Sequence, residues 1–557
     1  MIDKRNRHNA DAGAGAGRKL RRRDFVTGSL ATGAGLAVGA TAWNAWSQTQ
    51  LPLTPMPTIP IECVPPVPFG QASAFAPPGG PVRIRKSVFE LDANEISRLR
   101  AAYAELLKIT KNNDPRGWYR QGAVHCWYCS GAADSLNGME IHGSWWFLAW
   151  HRAYLYFHER ILGALIGDPT FALPYWDWDS CKDDPKDMTG RNRFPGDVYG
   201  FPTSDPAVAA ANSLYDTTRA VGPNDRIDTA YVGPTVMKAI LGSKSFTDFG
   251  GSGNEELPVF GQQKGDPQQA GHLESGPHGL VHLWTTDPKN YWGLANMGML
   301  AAAAFDPVFF AHHANIDRLW SVWAGTPGHA NPSNDRWLNQ QAFYFYDQAQ
   351  TWIGIVPSQM VDSEKLLSYR YQPPQWPPGA VVAAAAPAAL AENAVRLAQA
   401  TPLSAPLAVL STGTETKALP AQATTLQIAV PAEARQRITA LVAGAAPTTL
   451  VLRIDGVEIS ADRSAVVQVF VNRPDVTAPV QGPEAGYVGS IVIVASTPSR
   501  TLGLRPVVTR NFGLPLSPEL AAALSGKDNL TVTLVPVTGA NKPAEVLRYR
   551  QVYLASR

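Results

Sequence analysis

Apolar residues recur with helical spacing through much of the first 330 residues. The most apolar stretch, 306–320, contains only a short polar set and predicts a buried helix. Pro307 suits the first turn of that helix, because its missing N–H costs nothing there. Asp92 and Glu95 form a capping-box pattern at the start of another helix, and an aromatic pattern predicts a third over 150–162.

The pattern changes to short alternating runs in the last quarter of the chain. Runs rich in β-branched residues occupy 449–454, 466–471, 489–494 and 530–535, and turn residues separate them. Such runs predict a small β-sandwich. The stretch before them is dominated by Ala and Pro, which predicts a linker between two domains.

The composition is that of a folded protein with a sizeable core. Its 557 residues are 45% apolar and 17% charged, and this length predicts two or three domains. The net charge is +2, and no basic stripe interleaved with aromatic residues runs through the body of the chain. We therefore expect no nucleic-acid partner.

The basic excess is concentrated near the N-terminus. Arg21, Arg22 and Arg23 precede a weakly apolar run that is rich in Gly, Ala and Thr. This segment resembles a twin-arginine export signal, which predicts a periplasmic or secreted protein. The run is too weakly hydrophobic and too rich in glycine for a stable membrane span. The alternative is a disordered basic tail.

Two groups of histidines have the spacing of metal ligands. The segment that holds the first of them, residues 125–129, is expected to lie in a loop. The first group is His125, His142 and His151, and the second is His278, His282 and one of the adjacent pair His312 and His313. Successive helical residues point about 100° apart, so only one of that adjacent pair should reach a given metal. His158 fits neither group, and we expect it to be a packing or hydrogen-bonded residue.

These histidines need partners, because burying an unpaired polar group costs roughly 2–7 kcal/mol. All-histidine sets suit copper or zinc, and catalytic zinc sites normally have a single three-ligand set. Two such sets held by a helix bundle therefore favour a pair of copper ions that bind O2 between them. The alternative is that all six rings are ordinary core histidines.

Long motifs resemble the tyrosinases and catechol oxidases, and specifically the plant-type polyphenol oxidases of the coupled binuclear copper family. They are HCWYC at 125–129, WHRAYLYFHERIL at 150–162, FALPYWDWD at 171–179, ESGPHGLVH at 274–282, DPVFFAHHANIDRLW at 306–320, DRWLNQQAFYFYD at 335–347, VVQVFVN at 466–472 and LTVTLVP at 530–536. The resemblance implies a mainly α catalytic domain, an antiparallel four-helix bundle that holds a binuclear copper site, followed by a C-terminal β-sandwich.

This fold divides the chain into four expected segments. They are a signal segment at 1–47, the catalytic domain at 48–376, the Ala/Pro-rich linker at 377–422 and a shielding β-sandwich at 423–557. We expect the β-sandwich to plug the copper pocket until a protease cuts the linker, whose composition makes it accessible. The alternative is a β-module that only stabilises the chain.

The resemblance also implies roles for single residues. One copper ion is expected on His125, His142 and His151, and the other on His278, His282 and His313. His313 is preferred to His312 because the related arthropod oxygen carriers have a single histidine four residues before the aspartate that matches Asp317. Cys129 is expected to form a thioether to His142, with a plain buried thiol as the alternative, and Cys126 is expected to pair with Cys63. Cys181 is then left as a free thiol.

Three further residues are expected around the copper pair. Glu274 matches a glutamate that orients a water near the second copper in this family. Leu300 lies where the plant enzymes often have a phenylalanine over the site, and a smaller gate would admit bulkier phenols. Gly279 follows His278, where members that hydroxylate monophenols often have asparagine, so this glycine favours o-diphenol oxidation.

The expected function is therefore the oxidation of o-diphenols to o-quinones with reduction of O2 to water, with hydroxylation of monophenols left open. The expected partners are a phenolic small molecule and an activating protease. One alternative within this class is an o-aminophenol oxidase. Another, from a different class, is a reversible O2-binding protein like the hemocyanins.

Overall fold

The computed structural model describes most of the two expected domains. It covers residues 72–110, 114–129, 141–253, 269–340, 342–376, 408–409, 415–443, 450–482, 484–496, 507–539 and 542–556. The signal segment, Cys63 and most of the predicted linker lie outside these residues. Within them, no helix combines the length and the apolar character that a membrane crossing needs.

Five helices form the helical domain around the candidate site. They are α1 (Ala93–Leu107), α2 (Trp118–Cys129), α3 (Trp146–Leu165), α4 (Gly279–Thr286) and α5 (Val308–Ala324). A π-helical turn, Glu274–His278, leads directly into α4. Shorter helices lie at Gly196–Tyr199, Pro206–Ala210, Thr229–Val232, Pro234–Leu241, Phe246–Gly250 and Ser363–Leu367, and the β-domain adds Ala432–Val442 and Pro518–Leu524.

Fifteen strands are present in the described residues. The helical domain has β1 (Ser73–Ala74), β2 (Arg83–Arg85), β3 (Phe343–Tyr346), β4 (Trp352–Ile355) and β5 (Tyr369–Tyr371). The C-terminal part has β6 (Ala408–Val409), β7 (Lys417–Leu419), β8 (Thr424–Ala429), β9 (Leu450–Ser460), β10 (Ala465–Val471), β11 (Tyr487–Ile493), β12 (Val507–Pro515), β13 (Asn529–Pro536), β14 (Leu547–Tyr549) and β15 (Gln551–Ser556).

The C-terminal strands form two sheets that share one apolar core. One sheet has the order β11-β10-β13-β8, and the other has the order β6-β15-β9-β14-β7 with β12 paired to β9. Most buried apolar side chains of both sheets belong to a single hydrophobic cluster. This arrangement confirms the predicted β-sandwich. Strand β7 lies inside the stretch predicted as linker and pairs with β14.

The helical domain is built as the apolar pattern predicts. The predicted helix at 306–320 is α5, and nearly all of its residues are buried. The capping box forms, because the Asp92 side chain accepts from the Glu95 N–H and Glu95 accepts from the Asp92 N–H. Helix α3 extends the predicted aromatic helix at both ends. The confirmed fold is thus a helical catalytic core followed by a β-domain.

A buried ionic network fixes the base of the bundle. Asp317 on α5 accepts from Arg152 Nε of α3 at 2.5 Å and from the hydroxyl groups of Tyr369 and Tyr371 at 2.6 Å each. Arg85 on β2 donates to the same carboxylate at 3.3 Å. Because each charge is paired and hydrogen-bonded, the cost of its burial is offset. Strands β2 and β5 are therefore tied to the two helices.

One local prediction was wrong. The HCWYC motif was expected in a loop, but it forms the last turns of α2. Glycine and cysteine have low helix propensity, and Gly122, Cys126 and Cys129 weaken the sequence signal. The buried Ala123, Cys126 and Trp127 show that packing against the core overrides that propensity.

The β-domain packs directly on the helical domain. Val466, Val492, Val494 and Val537 belong to the hydrophobic cluster of the catalytic core and not to the core of their own sandwich. Polar contacts flank this apolar patch. The Leu300 N–H donates to the Ala495 carbonyl at 2.8 Å, and the neighbouring Ala301 N–H donates to the Ser496 carbonyl at 3.0 Å.

Candidate metal centre

Six of the predicted metal ligands converge in the middle of the bundle. His125 lies on α2, His142 in the loop before α3 and His151 on α3, and their ring centroids are 5.5–5.7 Å apart. His278 ends the π-helical turn, His282 lies on α4 and His313 on α5, with centroids 4.6–5.5 Å apart. In each group the potential ligand atoms lie within 4.8 Å of one another.

The two groups face each other across a short gap. The rings of His151 and His313 are stacked with centroids 4.0 Å apart, and those of His142 and His278 are stacked at 5.8 Å. Phe309 on α5 packs between the groups, with its ring centroid 4.7 Å from that of His125 and 4.2 Å from that of His313. Sequence reasoning did not single out Phe309, because an apolar residue in an apolar helix gives no separate signal.

Backbone carbonyl groups fix the protonation of two rings. His151 Nδ1 lies 2.8 Å from the Phe147 carbonyl, and His282 Nδ1 lies 2.8 Å from the Met297 carbonyl. A carbonyl oxygen only accepts, so both rings donate through Nδ1–H. The Nε2 atom of each ring therefore keeps its lone pair, the form that a metal ion requires.

The second group has the spacing of a ligand set. His282 Nε2 lies 3.1 Å from His278 Nε2 and 3.3 Å from His313 Nε2. Two nitrogens bound at 2.0–2.1 Å to one ion at a tetrahedral angle lie about 3.3 Å apart. These residues thus fit a bound metal ion, with no carboxylate or thiolate in the group as described.

Burial keeps the rings neutral. It is the largest cause that lowers the pKa of His125, His151, His278 and His313 well below the usual value, and neighbouring imidazoles lower these pKa values further. Burial also lowers the pKa of His282 to about 3. Neutral imidazole is the metal-binding form, so the site is ready to bind a cation at neutral pH.

His312 is the seventh histidine at this site. One of its ring nitrogens lies within 4.8 Å of the ligand atoms of His278, His282 and His313. Its Nδ1, however, accepts a hydrogen bond of 3.1 Å from the indole N–H of Trp178. Trp178 belongs to the FALPYWDWD motif at 171–179, for which the sequence predicted no role of a single residue.

Glu274 lies beside both groups. Its Oε1 accepts a hydrogen bond of 2.6 Å from the Gly143 N–H, directly after His142, while Glu274 itself begins the turn that ends at His278. Gly143 has a φ of +68°, which favours glycine, and a Cβ there would meet Arg510 of the β-domain at 2.8 Å. Sequence reasoning expected the β-sandwich at the copper pocket but did not single out Arg510.

Gly279 and Leu300 lie under the β-domain. A Cβ at Gly279 would be 2.9 Å from Cγ1 of Val492 and 3.5 Å from Cγ2 of Val494. Leu300 is buried and bonded through its backbone to Ala495. The opening of the predicted copper pocket, expected next to Gly279 and Leu300, is therefore covered by the end of β11 and the residues after it.

The cysteines are placed only in part. Cys126 forms a disulfide whose other half lies outside the described side chains, and Cys181 is a buried free thiol. The pairing with Cys63 stays a prediction, as does the thioether between Cys129 and His142, because the Cys129 side chain is also outside the described part.

His158 lies apart from the two groups. Its Nε2 contacts the Tyr103 hydroxyl at 3.1 Å, its Nδ1 contacts Gln121 Oε1 at 3.0 Å, and its ring stacks on Phe310. These contacts agree with the interpretation of His158 as a packing and hydrogen-bonded residue.

Comparison with known proteins identifies the family. The common central domain of tyrosinase matches residues 115–326, and the polyphenol oxidase middle domain matches residues 331–378. The chain is 31% identical to a chloroplastic polyphenol oxidase of Malus domestica over 510 residues, which cover 88% of this chain and 81% of the relative. This chain belongs to the tyrosinase family. Membership implies a pair of copper ions, which the two histidine groups fit.

Other members of the tyrosinase family match parts of the chain or its whole fold. Catechol oxidase B of Solanum tuberosum is 34% identical over 57% of this chain and 54% of its own length. The (+)-larreatricin hydroxylase of Larrea tridentata is 35% identical, and the chain spans only half of its length. The structure of latent apple tyrosinase superposes with a TM-score of 0.64 at 25% identity, covering 87% of this chain and all of that one.

The predicted localisation was wrong. Export by a twin-arginine route to the periplasm or medium is contradicted by these tyrosinase relatives, which are chloroplastic proteins. A basic, Ala-rich and Thr-rich N-terminus does not separate export signals from transit peptides, because both are rich in arginine and poor in acidic residues.

Proposed function

We propose that this chain is a copper-dependent polyphenol oxidase that converts o-diphenols to o-quinones. Two o-diphenols each give up two electrons and two protons, and together these reduce one O2 to two molecules of water. The observation that carries the proposal is the convergence of six buried imidazoles in two facing groups, with the rings of His151 and His313 only 4.0 Å apart. An o-aminophenol oxidase and an O2 carrier remain the alternatives that the assays below separate.

The protein's part is to hold the ligands and exclude water. His125, His142 and His151 would hold one copper ion, and His278, His282 and His313 the other. When bound, the copper pair supplies the redox chemistry that activates O2. The carbonyl groups of Phe147 and Met297 orient two of the rings, and the aromatic residues around them keep the site dry.

Glu274 is the candidate to handle the substrate proton through a water. The carboxylate is buried, and its Oε1 is held by the Gly143 N–H at 2.6 Å. That contact fixes the carboxylate between the loop of His142 and the turn of His278. Glu274→Gln keeps the shape of the side chain, and we expect it to lower kcat with little change in bound copper.

Gly279 and Leu300 favour diphenols in this proposal. Gly279 has no side chain that could help Glu274 to hold a water, so proton removal from a monophenol lacks support. Leu300 is smaller than phenylalanine and would leave room for bulky phenols once the mouth is open. Oxygen uptake with tyrosine and with L-DOPA, measured side by side, gives the ratio of the two activities.

The full chain is proposed to be latent. Val492 and Val494 lie against Gly279, and Ala495 is bonded to Leu300, so the β-domain covers the mouth of the site. Cutting the linker should not suffice, because buried valines and backbone hydrogen bonds hold the domains together. We expect a nicked chain to stay associated in gel filtration and to gain activity only when detergent or mild denaturant separates the parts.

The deciding experiment is oxygen uptake by copper-loaded protein before and after limited proteolysis in the linker. Quinone formation from L-DOPA that depends on copper and rises after domain separation is the expected result. A protein that binds O2 reversibly without consuming it would be a carrier, and a preference for o-aminophenol over catechol would support the other alternative. Both results would contradict the proposal.

A further inference from the structure

The helix that supplies the last copper ligand carries two adjacent histidines, and both reach the site. His312 and His313 are fully buried, and a ring nitrogen of each lies within 4.8 Å of ligand atoms of His278 and His282. The ring of His312 also stacks on that of His278, with centroids 5.4 Å apart. Four imidazoles are thus within reach of one ion. If only three of them bind it, another contact must keep the fourth ring from the ion.

The contacts of His312 show how it differs from the other three. Its Nδ1 receives the indole N–H of Trp178 at 3.1 Å. An indole nitrogen only donates, so His312 Nδ1 must accept and the ring proton must be on Nε2. No hydrogen bond to Nε2 contradicts this assignment among the described residues. A protonated ring nitrogen has no lone pair for a metal ion.

The ligand rings show the opposite arrangement. His151 and His282 donate through Nδ1–H to the carbonyl groups of Phe147 and Met297, which leaves Nε2 with a lone pair. A carbonyl acceptor at Nδ1 therefore marks these two ligand rings, whereas an indole donor marks the ring of His312. Trp178 is fully buried, so its indole is held in place by the core.

We propose that Trp178 is a positioning residue that selects the copper ligand on α5. By donating to His312 Nδ1, it keeps the proton on Nε2 and removes this ring from the ligand set, which leaves the place to His313. The inference rests on the proposed copper function and deepens it, because the position kept free of a fourth imidazole is one where O2 or substrate can bind.

The test uses the full chain loaded with Cu(I), which is diamagnetic, and histidine labelled with ¹⁵N. Nitrogen chemical shifts distinguish Nδ1–H from Nε2–H rings, and His312→Phe assigns the signals of His312 by their loss. We expect His312 to be Nε2–H in the parent chain. In Trp178→Phe we expect a shift towards Nδ1–H, because the indole donor is gone.

The number of imidazole nitrogens bound to each copper ion should change together with the tautomer of His312. X-ray absorption at the copper edge should show more imidazole nitrogens per ion in Trp178→Phe than in the parent chain, and catechol oxidation by domain-separated protein should fall by about 10–100-fold. The double variant Trp178→Phe with His312→Phe should return to the parent nitrogen count. Trp323→Phe is the matched control, because Trp323 is equally buried on α5 and its indole donates to the Ser243 carbonyl, away from the site.

Several outcomes would overturn the inference. These are a His312 ring that is Nδ1–H in the parent chain, a tautomer that is unchanged in Trp178→Phe, or a rise in the nitrogen count of Trp323→Phe as large as that of Trp178→Phe. Loss of half of the copper in His312→Phe would show that His312 is itself a ligand. The tautomer is measured whether or not the chain oxidises catechol, so failure of the proposed function is seen separately, as absent copper or absent turnover in the parent chain.

Discussion

The two domains of this chain contribute to the site in different ways. The helical core surrounds it with polar rings, two of which are oriented by hydrogen bonds to backbone carbonyl groups, such as that from His282 to the Met297 carbonyl. The β-domain contributes apolar side chains and backbone contacts, such as Val492 against Gly279. The hydrogen bonds of the helical core depend on which atoms donate and which accept. The contacts of the β-domain depend on the shape and burial of its side chains. Substitutions in the two domains should therefore have opposite effects on activity.

The largest effect is expected in the helical core. His282→Ala removes a ligand whose orientation is fixed by a carbonyl, so the chain should bind about half as much copper as the parent chain. We expect oxidation of L-DOPA to fall below detection even after the domains are separated. Metal analysis and oxygen uptake measure both effects. The control is His329→Ala, because His329 is half-buried against Trp323 and should change neither quantity. Full copper occupancy in His282→Ala would refute the ligand assignment.

The opposite effect is expected in the β-domain. Val492→Asp places a carboxylate in the buried contact, which costs several kcal/mol, and each 1.4 kcal/mol changes the docking equilibrium about tenfold. We expect the uncut chain to gain at least about tenfold in L-DOPA oxidation. Val507→Asp is the control, because Val507 is 43% exposed in the same domain. A β-domain that stays folded by circular dichroism while activity stays low would show that Val492 does not close the site.

A substitution at the contact between the domains sharpens the comparison. A side chain in Gly279→Asn must displace Val492, because even its Cβ would lie 2.9 Å from Cγ1 of that valine. The uncut chain should therefore gain a few-fold in activity on L-DOPA. After domain separation, the new amide should raise the ratio of tyrosine to catechol oxidation. An unchanged ratio would remove the argument that Gly279 limits hydroxylation.

The smallest effect concerns the pH dependence of stability. Burial lowers the pKa of His158 to about 3, against 6.5 in the unfolded chain. Because the folded-state pKa is depressed, this ring contributes its full stability above pH 6.5. That stability is lost as the pH falls from 6.5 towards 3, by up to about 1.4 kcal/mol per pH unit.

His158→Gln should therefore weaken the acid dependence of unfolding, since glutamine keeps hydrogen-bonding capacity towards Tyr103 but does not titrate. Urea unfolding of the copper-loaded chain between pH 7 and pH 5 measures the difference between the two slopes. His329→Gln serves for comparison, because that ring is less buried and should change the slope less. Equal slopes for His158→Gln and the parent chain would show that folding does not lower the pKa of His158.

Much of the helical core could be predicted from the sequence because its signals are local. The apolar period of α5, the capping box at Asp92 and the strands of the sandwich are each contained in a few residues. Helix α2 was missed because Gly122 and the cysteines weaken its local signal, and only packing against the core decides its conformation. The six candidate ligands were found because their spacing along the chain and the family motifs around them single them out.

The contacts between domains could not be predicted in the same way. Val492 and Val494 look like ordinary strand residues, and nothing in the alternation along β11 shows that they belong to the core of another domain. The choice between His312 and His313 rested on resemblance. The prediction from helical geometry that only one of them reaches a given metal was wrong, because a ring nitrogen of each lies within 4.8 Å of ligand atoms of His278 and His282. The hydrogen bond from Trp178, 134 residues away, is a contact that only the folded chain shows.

The valines of the β-domain that complete the core of the helical domain set stability against activity. Opening the mouth above Gly279 exposes Val492 and Val494 together with the apolar surface they cover, and each square ångström of such surface costs about 25 cal/mol in water. A freed catalytic domain should therefore unfold at a lower temperature than the uncut chain and adhere more readily to other surfaces. Separation of the domains should therefore raise the activity and shorten the time for which the catalytic domain stays folded.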